Sequence, residues 1–404
     1  MKILHILAQL PHGTGSGIYF SNLIKELEEY GHEQRAVFAL QDDCCFQRLP
    51  ADRQYAVNFK TEKLPFPVPG MSDVMPYESS KYCEMSPQTM ERWHGAFRET
   101  LEKAAADFQP DVLILHHLWI LSSLALEIFP QARSIGICHH TDLRQARQNP
   151  HIREEHVGNI HKLDIILSLS EAQQADIREI HSCQNPKIVV MGGGFDDTLF
   201  FPAPDKPRPG PPRILYAGKI DPSKGVFALI EAFSSLRRQD PELRLSIVGA
   251  AGRDQAERLD KLLAAEPGIQ LYPAMSQPEL ARTMREHDIF VLPSFFEGLG
   301  LIAIEALASG LWTVATEIEG LVSLLGDRVI QSGAIEFVPL PVLDFAGLPP
   351  APQLKAFVHD LETKLARQAA RARRGEAFPP GLPEDISRHS WKAIAARINA
   401  LINA

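Results

Sequence analysis

The fold is decided by the stretch Ile289-Phe-Val-Leu292-Pro-Ser-Phe-Phe-Glu297-Gly298-Leu299-Gly300-Leu301-Ile-Ala-Ile-Glu305-Ala-Leu-Ala-Ser-Gly310. Its first four residues are apolar and predict a buried strand. Gly298 and Gly300 predict a turn in which backbone N–H groups can approach a ligand without interference from a Cβ atom. The residues from 301 to 309 are good helix formers, and Gly310 is placed to end that helix. Together they predict an anion site, because the first helical N–H groups and the helix dipole both point at the turn.

Two carboxylates border this predicted site, Glu297 before the turn and Glu305 inside the helix. If the interval were all helical, its eight residues would span about 12 Å and roughly 2.2 turns. The two carboxylates therefore cannot act as an acid/base pair on one bond. They can hold the two ends of an elongated ligand whose middle is anionic, and a nucleoside-diphosphate sugar has that shape.

Size and composition predict a soluble protein of more than one domain. The chain has 404 residues, 45% of them hydrophobic and 23% charged, which is too long for one ordinary core. No run of 18 apolar residues occurs, and the N-terminus is too short in its apolar part for a signal peptide. Five cysteines show no C-x-x-C spacing, so neither zinc nor a disulfide framework is indicated. We expect a cytoplasmic protein with reduced thiols.

The charge distribution argues against a nucleic-acid partner. The formal net charge is −9, and residues 1–200 hold most of the excess, with 18 Lys and Arg against 26 Asp and Glu. Because neither half is basic, bulk charge favours neither nucleic acid nor anionic lipid. A peripheral membrane contact through a local patch stays open.

The N-terminal segment has the pattern of a Rossmann-like β-loop-α unit. A strand over residues 2–8 is followed by a loop carrying Gly15 and Gly17, and a helix is predicted from about Ile18 to Tyr30. A dinucleotide fingerprint would need glycine where Ile18 stands, although Asp42 occupies the place of a ribose-binding acid. A dehydrogenase is therefore an unfavoured alternative.

The stretch from Glu297 to Gly310, after a Pro-Ser strand end, resembles the E-x7-E signature of family-four retaining glycosyltransferases with the GT-B fold. The resemblance is strong over residues 213–325 and loose over residues 40–110. It implies an α/β protein of two Rossmann-like domains that face each other across a cleft. The N-terminal, acceptor-side domain would span residues 1–200 and the C-terminal, nucleotide-sugar domain residues 213–385.

The predicted connections between these domains follow from composition and from the resemblance. Residues 201–212 are rich in proline and predict a semi-rigid linker. Gly192-Gly-Gly-Phe-Asp196 resembles the family's crossing point between domains. The tail, residues 386–404, resembles the family's last helix, which returns to the N-terminal domain.

On the donor side, the resemblance implies roles for several residues. The loop Gly218-Lys219-Ile-Asp-Pro-Ser-Lys224-Gly225 matches a family loop whose two cations grip the diphosphate, although the family's arginine is replaced by Lys219, which lacks the bidentate fork. Glu297 would bind the sugar hydroxyls and Glu305 the ribose. The other implied donor-binding residues are Gly15, Gly17, Ala274, Met275, Gly298, Leu299 and Gly300.

On the acceptor side, residues 61–87 are rich in proline and predict an irregular excursion, usually a sign of function or disorder at this length. His139-His140-Thr141-Asp142 follows a predicted strand and resembles the family's "HSD" segment, whose histidine lies near the transferred sugar. His140 is the matching position, and His139 matches on a one-residue slip. Asp142 and Arg144 would line the acceptor site; an anionic acceptor would suit the arginine.

The resemblance implies an enzyme that moves a hexose from a nucleoside-diphosphate sugar to an acceptor hydroxyl with retention of configuration. The catalytic residues would be Glu297, His140, Lys224 and Lys219, with no cofactor and no metal. The acceptor would be a carbohydrate, a lipid-linked molecule or a small molecule. Two alternatives stay open: a GT-B nucleotide-sugar epimerase, which needs no acceptor, and a non-catalytic nucleotide-sugar binding subunit.

Overall fold

The structure is a computed structural model that describes residues 1–42, 44–73, 75–184, 186–204, 209–345 and 347–404. The chain forms two compact units. Unit 1 comprises Met1–Gly193 and Trp391–Ala404, and unit 2 comprises Gly194–Ser390. The first division falls inside the segment that resembles the family's crossing point, before the predicted linker 201–212. Residues 205–208 of that linker lie outside the described residues.

The strands of both units are short. They are β1 (Lys2–Leu7), β2 (Glu33–Leu40), β3 (Gln54–Asn58), β4 (Pro69–Gly70), β5 (Ser80–Lys81), β6 (Val112–His116), β7 (Arg133–Ile137), β8 (Ile165–Ser168), β9 (Lys187–Val190), β10 (Arg213–Ala217), β11 (Arg244–Val248), β12 (Ile269–Tyr272), β13 (Ile289–Leu292), β14 (Trp312–Thr316) and β15 (Ile335–Val338).

Helices alternate with most of these strands, as expected for parallel sheets. They are α1 (Gly15–Leu27), α2 (Pro87–Asp107), α3 (Ile120–Ile128), α4 (Thr141–Gln148), α5 (Pro150–His156), α6 (Ala172–His181), α7 (Val226–Gln239), α8 (Arg253–Ala265), α9 (Gln277–Glu286), α10 (Leu301–Ala308), α11 (Glu319–Gln331), α12 (Ala351–Arg373), α13 (Leu382–Ser387) and α14 (Trp391–Asn403).

Unit 1 is built on a parallel sheet with the order β3-β2-β1-β6-β7-β8-β9. Successive strands add to one side of β1 and then to the other, so the order reverses between β1 and β6. In open α/β sheets the crevice beyond the carboxyl ends of the strands at such a reversal is where ligands bind. The loops after β1 and β6 border that place.

Unit 2 repeats this plan with the order β12-β11-β10-β13-β14-β15, again all parallel. Its reversal lies between β10 and β13, and each of these strands leads directly into a loop singled out in the sequence. The α/β fold class with two Rossmann-like units is thereby confirmed. The predicted strands 213–217 and 289–292 also have the predicted bounds.

The C-terminal helix α14 is part of unit 1 although it follows unit 2 in the chain. Trp391, Ile394 and Ile398 are buried in an apolar cluster with Tyr19 and Leu23 of α1. Burying side chains of this size stabilises the fold by about 1.5–3 kcal/mol each. The helix begins at Trp391 rather than at residue 386, because residues 382–387 form the separate short helix α13 in unit 2.

The start of α1 differs from the sequence prediction, and the end of α10 agrees with it. Helix α1 begins at Gly15, three residues before the predicted start, because the Thr14 hydroxyl caps it by accepting from the Gly17 N–H at 3.0 Å. Helix α10 ends as predicted at Gly310, whose φ of +77° suits glycine. The N–H groups of Gly310 and Leu311 close the end on the carbonyls of Leu307 and Ala306.

Among the described residues, no helix combines the length and the apolar character that crossing a lipid bilayer requires.

Candidate functional site

In unit 2 the loops that follow β10 and β13 are in direct contact. Gly225 has φ +66°, and a Cβ built on it would lie 1.9 Å from the carbonyl oxygen of Pro293. The Phe295 N–H donates to the Ser223 carbonyl at 2.9 Å. Only glycine permits so close an approach at this φ. The contact brings the end of one loop against the start of the other.

This approach places Lys224 beside Glu297. The Lys224 Nζ donates to Glu297 Oε1 at 2.7 Å and to the Phe296 carbonyl at 3.0 Å. The Ser294 hydroxyl donates to the same Oε1 at 2.9 Å. Within the described part of the chain, Oε2 of Glu297 and the third N–H of Lys224 have no partner. The pair therefore keeps one acceptor and one cationic donor available to a ligand.

Lys219 is the more exposed cation of this loop. Its side chain is 70% exposed, and its Nζ lies 4.0 Å from Asp221 Oδ2. The Tyr216 hydroxyl donates to the Lys219 carbonyl at 2.8 Å, which fixes the backbone but not the ammonium group. The Ser223 hydroxyl, which donates to Asp221, keeps the pKa of that carboxyl below its usual value.

The turn between β13 and α10 has the predicted form. Gly300 caps α10 with φ +61°, while Gly298 has open space where a Cβ would be. The backbone of Gly320 in α11 packs so closely that a Cβ there would lie 2.2 Å from the Gly298 carbonyl oxygen. Leu299 is half-buried between the two glycines. The N–H groups of Leu301 and Ile302 have no acceptor within the helix, whereas that of Ala303 donates to the Gly300 carbonyl at 2.9 Å.

Glu305 lies within α10 and is buried. No hydrogen bond or ion pair reaches its carboxyl group within the described residues, and burial raises its pKa to about 8. A carboxyl group in such surroundings is mostly protonated at neutral pH. Glu305 can therefore donate a hydrogen bond, which a ribose hydroxyl oxygen can accept.

Ala274 and Met275 follow β12, at the same carboxyl edge of the sheet. Ala274 is exposed. The Met275 sulfur accepts from the Thr283 hydroxyl at 3.3 Å, so its side chain is turned toward α9. Their expected contact with a nucleobase stays a prediction.

In unit 1 the loop after β1 leads into α1. A Cβ on Gly17 would lie 2.7 Å from the His12 nitrogen and 2.8 Å from the Leu10 carbonyl oxygen, so glycine lets the loop fold against the helix. Gly15 is exposed and has open space around it. It lies at the N-terminus of α1, a position suited to an anion.

A cluster of histidines lies at the carboxyl end of β6 and in the loops that follow β6 and β7. His116 Nδ1 and His139 Nε2 are 3.2 Å apart, and the two rings stack with an interplanar angle of 12°. The His117 ring lies 4.8 Å and the Tyr19 ring 5.4 Å from the His139 ring. Burial lowers the pKa of His117 to about 4 and holds those of His116 and His139 well below the usual range. His140 is instead exposed, with φ +71° at the start of α4.

Asp142 does not line an acceptor site. Its side chain is fully buried, and its Oδ2 accepts from the backbone N–H groups of Leu118 at 2.8 Å and His139 at 3.2 Å. A carboxylate held in this way positions the loops after β6 and β7. The expectation of acceptor binding by Asp142 is wrong, because the carboxylate has no accessible surface.

Arg144 is exposed, and its guanidinium lies 3.1 Å from the Asp73 carboxylate. Asp73 neutralises the positive charge of Arg144, and that charge was the reason to expect an anionic acceptor. The side chain stays a candidate for the border of an acceptor site.

Sequence reasoning missed Ser294, His116 and His117. His116 is the last residue of β6 and His117 follows it, so the rule that singled out His139 and His140 at the end of β7 would have found them. Ser294 stands three residues before Glu297, but only the folded loop shows that its hydroxyl reaches that carboxylate.

Comparison with known proteins relates this chain to glycosyltransferases. Residues 200–339 match the model of the family described as glycosyl transferases group 1. The chain is 28% identical to glycogen synthase from Mycobacterium tuberculosis (strain CDC 1551 / Oshkosh) over 341 residues, 79% of this chain and 76% of the relative. It is 28% identical to D-inositol 3-phosphate glycosyltransferase from Kineococcus radiotolerans over 247 residues, 57% of each chain.

Solved structures share the fold over the whole chain. Sucrose-phosphate synthase from Thermosynechococcus elongatus has a TM-score of 0.66 at 17% identity and covers 100% of this chain and 98% of its own. The Anabaena protein HepE in complex with UDP and glucose has a TM-score of 0.62 at 15% identity, with 100% and 99% covered. The chain is a glycosyltransferase of the GT-B fold. The matched segment of this glycosyltransferase contains the loops that hold Lys219, Lys224 and Glu297, and the helix α10 that holds Glu305.

The contact at Gly225 predicts a contrast between two glycines of the glycosyltransferase. Gly225→Ala puts a methyl group into the Pro293 carbonyl at a strained φ, so we expect a loss of several kcal/mol of unfolding free energy. Gly298→Ala has space for its methyl group, and we expect it to change stability by less than about 1 kcal/mol. Urea denaturation of the two variants measures both values, and equal losses would contradict the proposed contact.

The burial of Glu305 predicts a pH dependence. Because its pKa is raised from 4.5 to about 8 on folding, its contribution to stability is complete below pH 4.5 and is lost as pH rises toward 8, at about 1.4 kcal/mol per pH unit. Glu305→Gln removes this slope, so we expect the ligand-free variant to gain stability over the wild type from pH 5 to pH 8. Thermal unfolding across that range measures the difference. Glu231→Gln, at an exposed position of α7, is the control, and parallel curves for wild type and Glu305→Gln would contradict the buried carboxyl.

Proposed function

We propose that this glycosyltransferase moves a hexose from a nucleoside-diphosphate sugar to an acceptor hydroxyl, with retention of configuration and without a metal ion. The observation that carries the proposal is the Lys224–Glu297 pair, held beside the N-terminus of α10 at the reversal of the strand order. The names of the relatives, and UDP and glucose in the HepE structure, support this class of donor.

Such a site must first stabilise the diphosphate as it leaves the sugar. Negative charge grows on the diphosphate as the bond to the sugar breaks, and fixed donors that meet this charge usually supply the largest part of catalysis. Lys224, Lys219 and the first N–H groups of α10 would supply them. Two ammonium groups and a helix N-terminus take the role that a divalent cation has elsewhere, which supports metal independence.

Donor positioning falls to the two glutamates. Glu297 Oε2 would accept from sugar hydroxyls while Oε1 stays bound to Lys224 and Ser294. Glu305, protonated at neutral pH, would exchange hydrogen bonds with the ribose. Neither side chain needs to react covalently with the substrate.

Retention of configuration would come from attack on the same face that the diphosphate leaves. Glu297 is engaged by an ammonium and a hydroxyl group, and both reduce its nucleophilicity, so a covalent glycosyl-enzyme of the glycosidase kind is not favoured. The departing phosphate oxygen would take the proton of the acceptor hydroxyl. A histidine at the end of β7 would polarise the sugar, and His139 and His140 both stay candidates for that role.

The test is calorimetric binding of UDP-, GDP- and ADP-glucose, together with their slow hydrolysis, in the wild type and in Lys224→Ala. Losing a charge-assisted contact of about 1.5–3 kcal/mol predicts donor binding about 10–100-fold weaker in the variant. Lys261→Ala removes a lysine that is 75% exposed on α8 and serves as the matched control. If Lys224→Ala bound the donors as tightly as the wild type, the diphosphate would have to bind away from Lys224.

Added EDTA and the product's anomeric configuration test the finer points. We expect EDTA to leave hydrolysis unchanged and NMR of the product to show the donor's configuration. An epimer formed without acceptor would instead indicate an epimerase, and binding without any turnover would indicate a binding subunit.

A further inference from the structure

Unit 1 contains a polar cavity of 270 Å³ that the proposed mechanism does not use. One wall is formed by residues within 70–73 and 81–83, which belong to the excursion that precedes α2, and the other by the last turn of α4 and Asn149. Such a volume approaches the lower end of small-molecule binding pockets. No comparison assigns it a ligand.

The excursion is ordered where it forms this wall. Strands β4 and β5 pair in parallel, Pro69 with Ser80 and Gly70 with Lys81. Tyr82 is fully buried, with its ring edge-on to Trp93 and Trp119. The wall is thus anchored in the core of unit 1, which makes the cavity a built feature rather than a gap between loose loops.

Two buried carboxamides form the floor of the cavity. The Asn149 amide donates to Gln145 Oε1 at 2.8 Å, and the Gln145 amide donates to the Met71 carbonyl at 3.2 Å. Both side chains are only 5–6% exposed, so these bonds fix their orientation. Each amide keeps a further N–H, and Asn149 also keeps its oxygen. Gln148 adds a third, exposed carboxamide at the rim.

The charges around the cavity compensate each other. Lys81 lies 2.9 Å from Glu84, and Asp73 lies 3.1 Å from Arg144. Two cations and two anions leave no net charge to attract an anion. Fixed donors and acceptors without net charge suit the hydroxyl groups of a neutral polyol.

We propose that this cavity binds an uncharged saccharide or polyol portion of the acceptor, recognised by the carboxamides of Gln145, Gln148 and Asn149. The inference rests on the proposed glycosyl transfer and names its acceptor class. It selects a neutral acceptor over a phosphorylated one.

The position of the cavity along α4 indicates which part of the acceptor it would bind. His140 stands just before the start of α4 and Asn149 just after its end, nine residues and about 14 Å apart along the helix axis. A group bound at Asn149 is therefore remote from a hydroxyl that reacts near His140. The cavity would determine specificity, and the chemistry would take place at the other end of the helix.

Cys83 lines the cavity and is exposed, so its thiol reports occupancy in the intact protein. We would measure its labelling by N-ethylmaleimide with mass spectrometry, in titrations of maltose, sucrose and myo-inositol and of the anionic probes glucose 6-phosphate and myo-inositol 1-phosphate. At about four times its Kd a bound probe leaves a fifth of the sites free and slows labelling about fivefold. Cys45, which is exposed and does not line the cavity, is the internal control.

The expected result is protection of Cys83, but not of Cys45, by at least one neutral probe and by neither anionic probe. Gln148→Trp fills the rim and should abolish this protection, whereas Gln88→Trp, at an exposed position of α2, should retain it. Protection by the anionic probes alone, or by no probe, would overturn the proposal. Since the assay contains no donor, such a failure is separate from the outcome of Lys224→Ala.

Discussion

The donor half of the molecule depends on the backbone approach of Gly225 to Pro293. It joins the loops that follow the two strands at which the sheet order reverses. A side chain at residue 225 would push them apart and separate Lys224 from Glu297. The ion pair between Lys224 and Glu297 therefore depends on this close approach, which brings it beside the Ser294 hydroxyl and the start of α10. A cation, a carboxylate and a helix N-terminus become a single site because one residue has no Cβ.

The strand order of unit 1 reverses in the same way as that of unit 2, but different side chains lie at the point of reversal. Here the strand ends present stacked histidines, His116 buried and His139 half-buried, instead of lysines and glutamates. Burial keeps these imidazoles neutral, so they can exchange protons and hydrogen bonds without adding charge. The buried Asp142 carboxylate ties their loops together through backbone N–H groups. The two units thus share one topology but differ in the side chains at the reversal point, charged lysines and glutamates in unit 2 and neutral histidines in unit 1.

The donor side was more predictable from sequence than the acceptor side. Residues 289–310 are contiguous, and strand period, glycine placement and helix end each follow from local physics, so the bounds of β13 and the end at Gly310 are as predicted. The reach of Ser294 and the pairing of Arg144 with Asp73 depend on distant segments that meet only in the fold. Asp142 shows the limit of prediction from sequence. The sequence indicates a polar residue after a strand, but it does not show whether that residue faces solvent or backbone amides.

In the proposed mechanism, the charge state of Glu305 decides whether a diphosphate can bind. Lys219 and Lys224 are balanced by Asp221 and Glu297, so the side chains at the two loops have no net charge, and the helix N-terminus supplies the remaining attraction. An ionised Glu305 would make the site anionic and repel the ligand it is proposed to bind. Burial prevents this by raising the pKa of that carboxyl to about 8. The same desolvation that costs stability at alkaline pH therefore keeps the site open to an anion at neutral pH.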